Sequence, residues 1–257
     1  MWNWKFWKRK ANKRKPIEPN MITGVIYAGS NRFSINDRFL PKSLLEVDGK
    51  TLFEYTLENM LKLNLSEIYV FCDDCMDEYK KILERYPDVK LLFCDDYNST
   101  LNVVQNYIGL FNEYIMFNYG SMPKKPRYLK AIYNQDADLV ATSYSGGKKE
   151  SQKAEYNYSV PLTAEDAFSV PLVEETKKSQ GIILEITKES RIIVNDQEVH
   201  PPYLIKKEIA IDCPAMTWLT FFTMNKEKLV FVKDDICDFN NLEEFEEFQK
   251  YVYKHFK

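Results

Sequence analysis

Five short apolar runs alternate with amphipathic stretches between residues 21 and 143, and this alternation limits the fold more than any other feature of the chain. The runs are "ITGVIYA" (22–28), "EIYVFC" (67–72), "KLLFC" (90–94), "EYIMFN" (113–118) and "DLVATS" (138–143). The stretches between them, 51–63, 75–85, 100–111 and 126–134, carry helical periodicity. A strand buried on both faces reads as a continuous apolar run, so this rhythm predicts a parallel sheet with helices on both sides. Ligands of such sheets bind at the carboxyl ends of the strands, where the strand order reverses.

The rhythm changes after residue 143. Residues 144–180 are polar, contain Gly146-Gly147, and read as an insertion or flap. "GIILEIT" (181–187) and "RIIVN" (191–195) read as a hairpin, and "YLIKKEIAI" (203–211) and "TWLTFFTM" (217–224) as further strands. "NNLEEFEEFQKYVYKHF" closes the chain as a helix, with Asn240 or Asn241 as N-cap and acidic residues in its first turn. The expectation is one α/β domain over 21–257, Rossmann-like and three-layered. Its sheet is mostly parallel, its helices lie on both faces, and a mixed β extension occupies the C-terminal half.

The first 20 residues stand apart. Trp2, Trp4, Phe6 and Trp7 lie among lysines, and residues 1–15 hold seven Lys/Arg and no Asp/Glu. Two readings are open: an interfacial anchor giving peripheral membrane contact, or a flexible basic tail. Set against a whole-chain net charge of −3, those seven cations leave the body acidic, which argues against nucleic acid as partner. No apolar run reaches membrane-spanning length, and no signal-peptide core follows the basic start, so the expected location is cytoplasmic, with or without membrane association. The five cysteines read as reduced packing residues, the Cys72-x-x-Cys75 pair included, and two histidines give little material for metal or triad chemistry.

The chemistry concentrates in "GVIYAGSNRFSINDRFLPKSLLEVDGK" (24–50). Gly29 lets loop N–H groups approach a phosphate, Arg32 offers a planar fork for phosphate oxygens, and Lys42 supplies a point charge behind Pro41. Taken alone, "AGSNR" reads as an ordinary strand-to-loop turn with solvated cations.

The wider string resembles the opening of the nucleotidyltransferase superfamily, which includes sugar-phosphate nucleotidylyltransferases, phosphocholine cytidylyltransferase-like enzymes and molybdenum-cofactor guanylyltransferases. The family pattern is a strand, A-[AG]-G-x-G-[ST]-R, then P-K-x-L, then G-K-P-L before a helix. Ala28, Gly29, Arg32, Pro41, Lys42, Leu44, Gly49, Lys50 and Leu52 fall into it. Thr100 stands in the threonine place of a later G-T-x-x-A segment, and "ICDFNNLEEFEEF" is similar to the terminal D-[IV]-[DN]-T-P-E-D-L signature. The resemblance implies Arg32 and Lys42 on the triphosphate and Ala28, Gly29, Ser30, Asn31 and Thr100 at the nucleotide. It also implies Asp238 or Asn240 toward a magnesium ion. The implied reaction takes a nucleotidyl group from CTP, UTP or GTP to a phosphorylated sugar or alcohol and releases pyrophosphate.

Two departures stand out. The first loop is one residue short, with Ser30-Asn31 where x-G-[ST] belongs, and Gly120 is followed by Ser121 where the family has its metal-binding Asp. A serine hydroxyl replaces a carboxylate poorly on magnesium. Three functions are therefore carried forward: an impaired nucleotidyltransferase, a non-catalytic nucleotide-binding or scaffold descendant, and a glycosyltransferase. The last lacks a D-x-D after the fourth strand.

Overall fold

A computed structural model describes residues 16–29, 32–35, 38–94, 99–144, 192–195, 197–215, 217–234, 239 and 242–256. Strand β1 (Ile22–Tyr27) is followed by a hairpin of β2 (Arg32–Ile35) and β3 (Arg38–Pro41), and then by the small pair β4 (Glu46–Val47) and β5 (Lys50–Thr51). Helix α1 (Leu52–Leu61), β6 (Glu67–Cys72), α2 (Met76–Leu83), β7 (Val89–Phe93), α3 (Leu101–Asn106), β8 (Tyr114–Tyr119), α4 (Pro126–Tyr133) and β9 (Leu139–Tyr144) then alternate as the sequence predicts. Thr51 fixes the start of α1 through a reciprocal cap with Glu54: each side chain accepts from the other residue's backbone N–H.

Beyond the flap lie β10 (Ile193–Val194), β11 (Gln197–Glu198), β12 (His200–Lys206), α5 (Lys207–Asp212), α6 (Trp218–Met224), β13 (Leu229–Asp234) and α7 (Leu242–Phe256). Seven strands form the main sheet in the order β13-β9-β12-β8-β1-β6-β7. Every pairing is parallel except those of β12, which runs antiparallel to both β8 and β9.

Alternate residues of β1 point to opposite faces, as in any strand. Val25 and Tyr27 join a core with Phe71, Phe117, Tyr203, Trp218 and Phe222 beneath α3, α5 and α6. Ile22 and Ile26 join the opposite core with Val70, Met116, Phe53 and Leu129 beneath α1, α2 and α4. A smaller cluster packs Phe245, Phe248 and Val252 of α7 on Leu45, Val47, Leu52, Tyr55 and Phe239. The result is the three-layer α/β arrangement expected. Ile17 is already part of it: buried, with its N–H donating to the Tyr133 carbonyl at 3.3 Å.

The second half departs from the sequence reading in four places. "TWLTFFTM" is a helix, not a strand: Thr217 caps it reciprocally with Thr220, and Trp218, Phe221 and Phe222 take the buried i, i+3, i+4 positions. The run 203–211 divides at Lys206. There β12 runs out of partners, because β8 begins at Tyr114 and β9 at Leu139, and the chain turns into α5. Strand β13, unanticipated, pairs with β9 along its whole length. Ile193–Val194 pairs forward with Gln197–Glu198, while the other half of the expected hairpin, 181–187, lies outside the described residues with most of the flap.

From β1 the chain builds outward through β6 and β7, then crosses back to lay β8 on the other side of β1. The strand order therefore reverses between β1 and β8, and their carboxyl ends are where a ligand is expected.

Candidate functional site

At those carboxyl ends Tyr27 and Tyr119 are register partners, so the chain leaves β1 and β8 side by side through Ala28-Gly29 and Gly120-Ser121. Three segments meet there at close range. A β-carbon on Gly120 would lie 3.1 Å from Ser43 Cβ and 3.4 Å from Ala28 Cα, so only glycine fits without a shift. The Gly120 N–H donates to the Tyr27 carbonyl at 2.8 Å, and the Gly120 carbonyl accepts from Thr56 Oγ1 of α1 at 2.9 Å.

Ala28 is framework. Its N–H donates to the Phe71 carbonyl at 2.7 Å, and its carbonyl accepts from Ser43 Oγ at 3.0 Å and from the Tyr79 hydroxyl. Burial pushes the Tyr79 phenol far above its ordinary range, which keeps it a neutral hydrogen-bonding group. Both backbone groups of Ala28 are thus committed within the protein.

Gly29 has a different constraint. A β-carbon there would collide with Asp73 Oδ1 and approach the Tyr27 hydroxyl to 2.7 Å. Tyr27 donates to Asp73 Oδ2 at 3.1 Å, which fixes the carboxylate of the β6–α2 turn over the glycine. An anionic group therefore lies against the residue that the resemblance assigns to a nucleotide. Sequence reasoning did not mark Asp73, although its place just after the buried strand β6 put it on the same edge.

Lys42 opens a short 3₁₀ turn, Lys42–Leu44, directly after β3. Its side chain is 7% exposed, donates to the Phe239 carbonyl, and lies 4.9 Å from the centre of the Phe239 ring. Phe239 stands between Asp238 and Asn240 in sequence and packs on Phe245 and Phe248, at 4.9 and 5.0 Å between ring centres. The P-K loop and the terminal signature, which the resemblance brings to one site, are thus in direct contact through these two residues. Asp238, Asn240, Ser30 and Asn31 lie outside the described residues. Arg32 is described by its backbone only: it pairs with Pro41 at the base of the β2–β3 hairpin, one residue from Lys42. The expected polar loop is in this part an antiparallel ladder.

Thr100 sits just ahead of α3 and shares a hydrogen bond with the Tyr119 hydroxyl at 2.9 Å. Its Oγ1 also accepts from Trp218 Nε1 at 2.7 Å. Tyr119 in turn meets Tyr27 edge to face, with ring centres 6.3 Å apart. Thr100 therefore anchors an aromatic wall on the α3–α6 side of the strand ends.

The loop after β8 holds the other unanticipated residue. Ser121 lies in a tight turn closed by the Met122 N–H to the Tyr119 carbonyl at 3.1 Å and by Asn118 Nδ2 to the Met122 carbonyl at 3.0 Å. Three residues beyond Ser121, Lys124 is 1% exposed. Lysine is almost never so buried unless its charge is met, yet a lysine in "PKKP" reads as solvated by default. Among the described residues, no group of three His, Cys, Asp or Glu stands close enough to hold a metal ion. A hydroxyl at 121 is a poorer ligand for a divalent cation than the carboxylate of the family pattern.

No family profile matches the chain, and no curated protein is similar to it in sequence. Solved structures do match. A nucleotidyl transferase from Methanothermobacter thermautotroptrophicus is 14% identical over 91% of this chain and 99% of that one, with a TM-score of 0.62. The 4-diphosphocytidyl-2C-methyl-D-erythritol synthase of Anaerococcus prevotii is 15% identical over 90% and 96%, with a TM-score of 0.58. Mycobacterium tuberculosis Rv0371c, in complex with manganese, is 12% identical over 90% and 98%, with a TM-score of 0.56. The fold of this chain is the nucleotidyltransferase fold, as the resemblance in sequence implied.

Proposed function

We propose that this protein binds a nucleoside triphosphate, CTP, UTP or GTP, at the carboxyl edge of β1 and β8. We further propose that it is nucleotidyltransferase-like, with impaired transfer to a phosphorylated sugar or alcohol. The observation that carries this reading is the contact of Lys42 with Phe239, beside a hairpin that starts at Arg32, at the reversal of strand order. Lys42 and the terminal segment on one edge, with Arg32 opening the adjacent hairpin, suit a polyphosphate, whose recognition is positioning and charge neutralisation. In the reaction an acceptor phosphate oxygen attacks the α-phosphorus and pyrophosphate leaves, with Arg32 and Lys42 balancing the charge of the departing group. We assign magnesium no step, because Ser121 stands where the family's carboxylate would hold it.

Ser121 also favours a second reading, a descendant that binds nucleotide and serves as a scaffold. Pyrophosphate release across a panel of nucleotides and phosphorylated sugars and alcohols separates the two. Slow, acceptor-dependent release is expected. Binding by calorimetry with no release would leave the scaffold, and no binding of any nucleotide would remove both.

Residues 1–15, outside the described residues, are proposed as a peripheral membrane contact on their sequence alone. Among the described residues no helix is long and apolar enough to cross a membrane.

A further inference from the structure

Strand β7 closes one side of the main sheet, and among the described residues no strand pairs with its outer edge. The register with β6 determines which backbone groups lie on that edge. Val70 faces Leu91, Cys72 faces Phe93, and the Cys94 N–H donates to the Cys72 carbonyl at 2.9 Å. Residues of an outer strand bond alternately toward the sheet and away from it. Lys90, Leu92 and Cys94 therefore bond to β6, and Val89, Leu91 and Phe93 turn their backbone groups outward.

Two of those outward groups are met within the chain. The Val89 N–H donates to the Tyr86 carbonyl at 3.0 Å, and the Phe93 carbonyl accepts from the Tyr107 hydroxyl at 3.3 Å. The Val89 carbonyl, both groups of Leu91 and the Phe93 N–H remain on the edge. Together they are self-complementary. A two-fold axis at Leu91, perpendicular to the sheet, sets its N–H and carbonyl against those of Leu91 in a second copy. The same axis brings each Phe93 N–H to the Val89 carbonyl of the other copy. The groups at the outer ends of that ladder, the Val89 N–H and the Phe93 carbonyl, are the ones already engaged.

The side chains agree with this pairing. Each Val89 falls opposite Phe93 of the other copy, and a β-branched residue against an aromatic one is a favourable cross-strand pair. Phe93 is 52% exposed, while Val89 and Leu91 are half-buried. A lysine on an open edge usually resists pairing, but the Lys90 ammonium is drawn back over β6. Its Nζ lies 2.5 Å from Glu67 Oε1, 3.2 Å from the Tyr69 hydroxyl and 5.0 Å from the centre of the Tyr69 ring. Leu92 of the other copy stands opposite Lys90, so like charges do not face each other.

We propose that two copies of this chain pair antiparallel through β7, joining their sheets into one about a two-fold axis at Leu91. The contact is isologous and closes at a dimer. Antiparallel pairing turns the carboxyl edges of the two sheets to opposite sides of the assembly, so each copy keeps its own strand-end site. The proposal is independent of the nucleotide reading. The paired strand is five residues long, and a dissociation constant of about 10 µM is expected of so small a contact.

Sedimentation equilibrium of the full chain from about 1 to 300 µM tests this. The mass should rise from 30.4 kDa toward twice that value. Amide exchange followed by NMR is a second readout. At the upper concentration the Leu91 and Phe93 amides should slow by more than about threefold, and those of Lys90 and Leu92 should not change. Leu91→Pro removes an outward N–H and leaves the bonds to β6 in place, and Phe93→Lys brings a charge to the paired edge. Both should stay monomeric, whereas Val230→Lys on β13, the opposite outer strand, should dimerise like wild type. Circular dichroism shows whether Leu91→Pro is folded; if it is not, Phe93→Lys and amide exchange decide. A monomer at every concentration would overturn the proposal. So would a dimer that the folded β7 variants retain, one that Val230→Lys abolishes, or one that leaves the Leu91 and Phe93 amides unprotected.

Discussion

The carboxylate of Asp73 occupies the space that a β-carbon on Gly29 would need, and the Tyr27 hydroxyl holds it there. The glycine of the first loop is therefore required by a neighbouring side chain, whatever ligand the loop takes. Gly29→Ala should destabilise the protein by about 1–3 kcal/mol through overpacking. Asp73→Ala should relieve most of that cost, so thermal melting of the double variant should show strong non-additivity. Additive losses would mean that the loop's backbone, not Asp73, dictates glycine.

Lys42 links two distant segments through a buried hydrogen bond. Lys42→Met should destabilise by about 1–3 kcal/mol, because the buried Phe239 carbonyl loses its donor. Nucleotide affinity should fall with it, by more than tenfold if the ammonium also meets phosphate, given about 2–5 kcal/mol for a desolvated charged contact. Denaturant melts and calorimetry on one preparation separate the two losses.

Glu54 predicts the acid limb of stability. Burial raises its pKa, but the Thr51 backbone N–H, the Arg85 guanidinium and the Thr51 hydroxyl together outweigh it and hold the group below its ordinary 4.5. A carboxylate depressed on folding contributes stability that is full above the unfolded value and is lost as pH falls through the folded one. Glu54→Gln should therefore lower the melting temperature at neutral pH and flatten its decline below about pH 4.5. Parallel curves for variant and wild type would refute the assignment.

Thr100 is the shared partner of Trp218 and Tyr119. Thr100→Val keeps the shape and removes the acceptor, leaving the Trp218 N–H unpaired at a cost of about 1–3 kcal/mol. A change in tryptophan emission should accompany the loss. Should nucleotide affinity stay at the wild-type level, the aromatic wall is structural support and not a base pocket.

If residues 1–15 contact membranes, their deletion should abolish sedimentation with anionic vesicles and leave the melting temperature unchanged. Equal sedimentation of both forms would remove the contact.

The first half of this fold was readable because parallel strands buried on both faces leave continuous apolar runs, as β1, β6, β8 and β9 do, while the half-exposed edge strand β7 keeps a shorter run. "TWLTFFTM" has the same composition, and only the Thr217–Thr220 cap and the spacing of Trp218, Phe221 and Phe222 mark it as a helix. Within the site, Gly29 and Lys42 stood out because they fall into the strand-A-G…R…P-K-x-L pattern. Asp73 and Lys124 did not, because a charged residue at a strand end reads as solvated until its burial is known. Arg32 was legible as a residue type, but the ladder that sets its backbone opposite Pro41 was not, since its strands are short and the sequence between them lacks Asn-Gly.

The hydrogen bond from Lys42 to Phe239 spans 197 positions of the chain. On a ribosome the strand that starts the site is made first, and the residue that seats its lysine follows 197 positions after it. Until then the Lys42 ammonium has no Phe239 carbonyl to bond, and the ring cluster beneath it lacks α7. A chain truncated before residue 239 should retain β1 and its neighbours yet be unable to set Lys42 in place. If the chain binds nucleotide as proposed, binding competence arrives with α7, and a clipped chain should bind none.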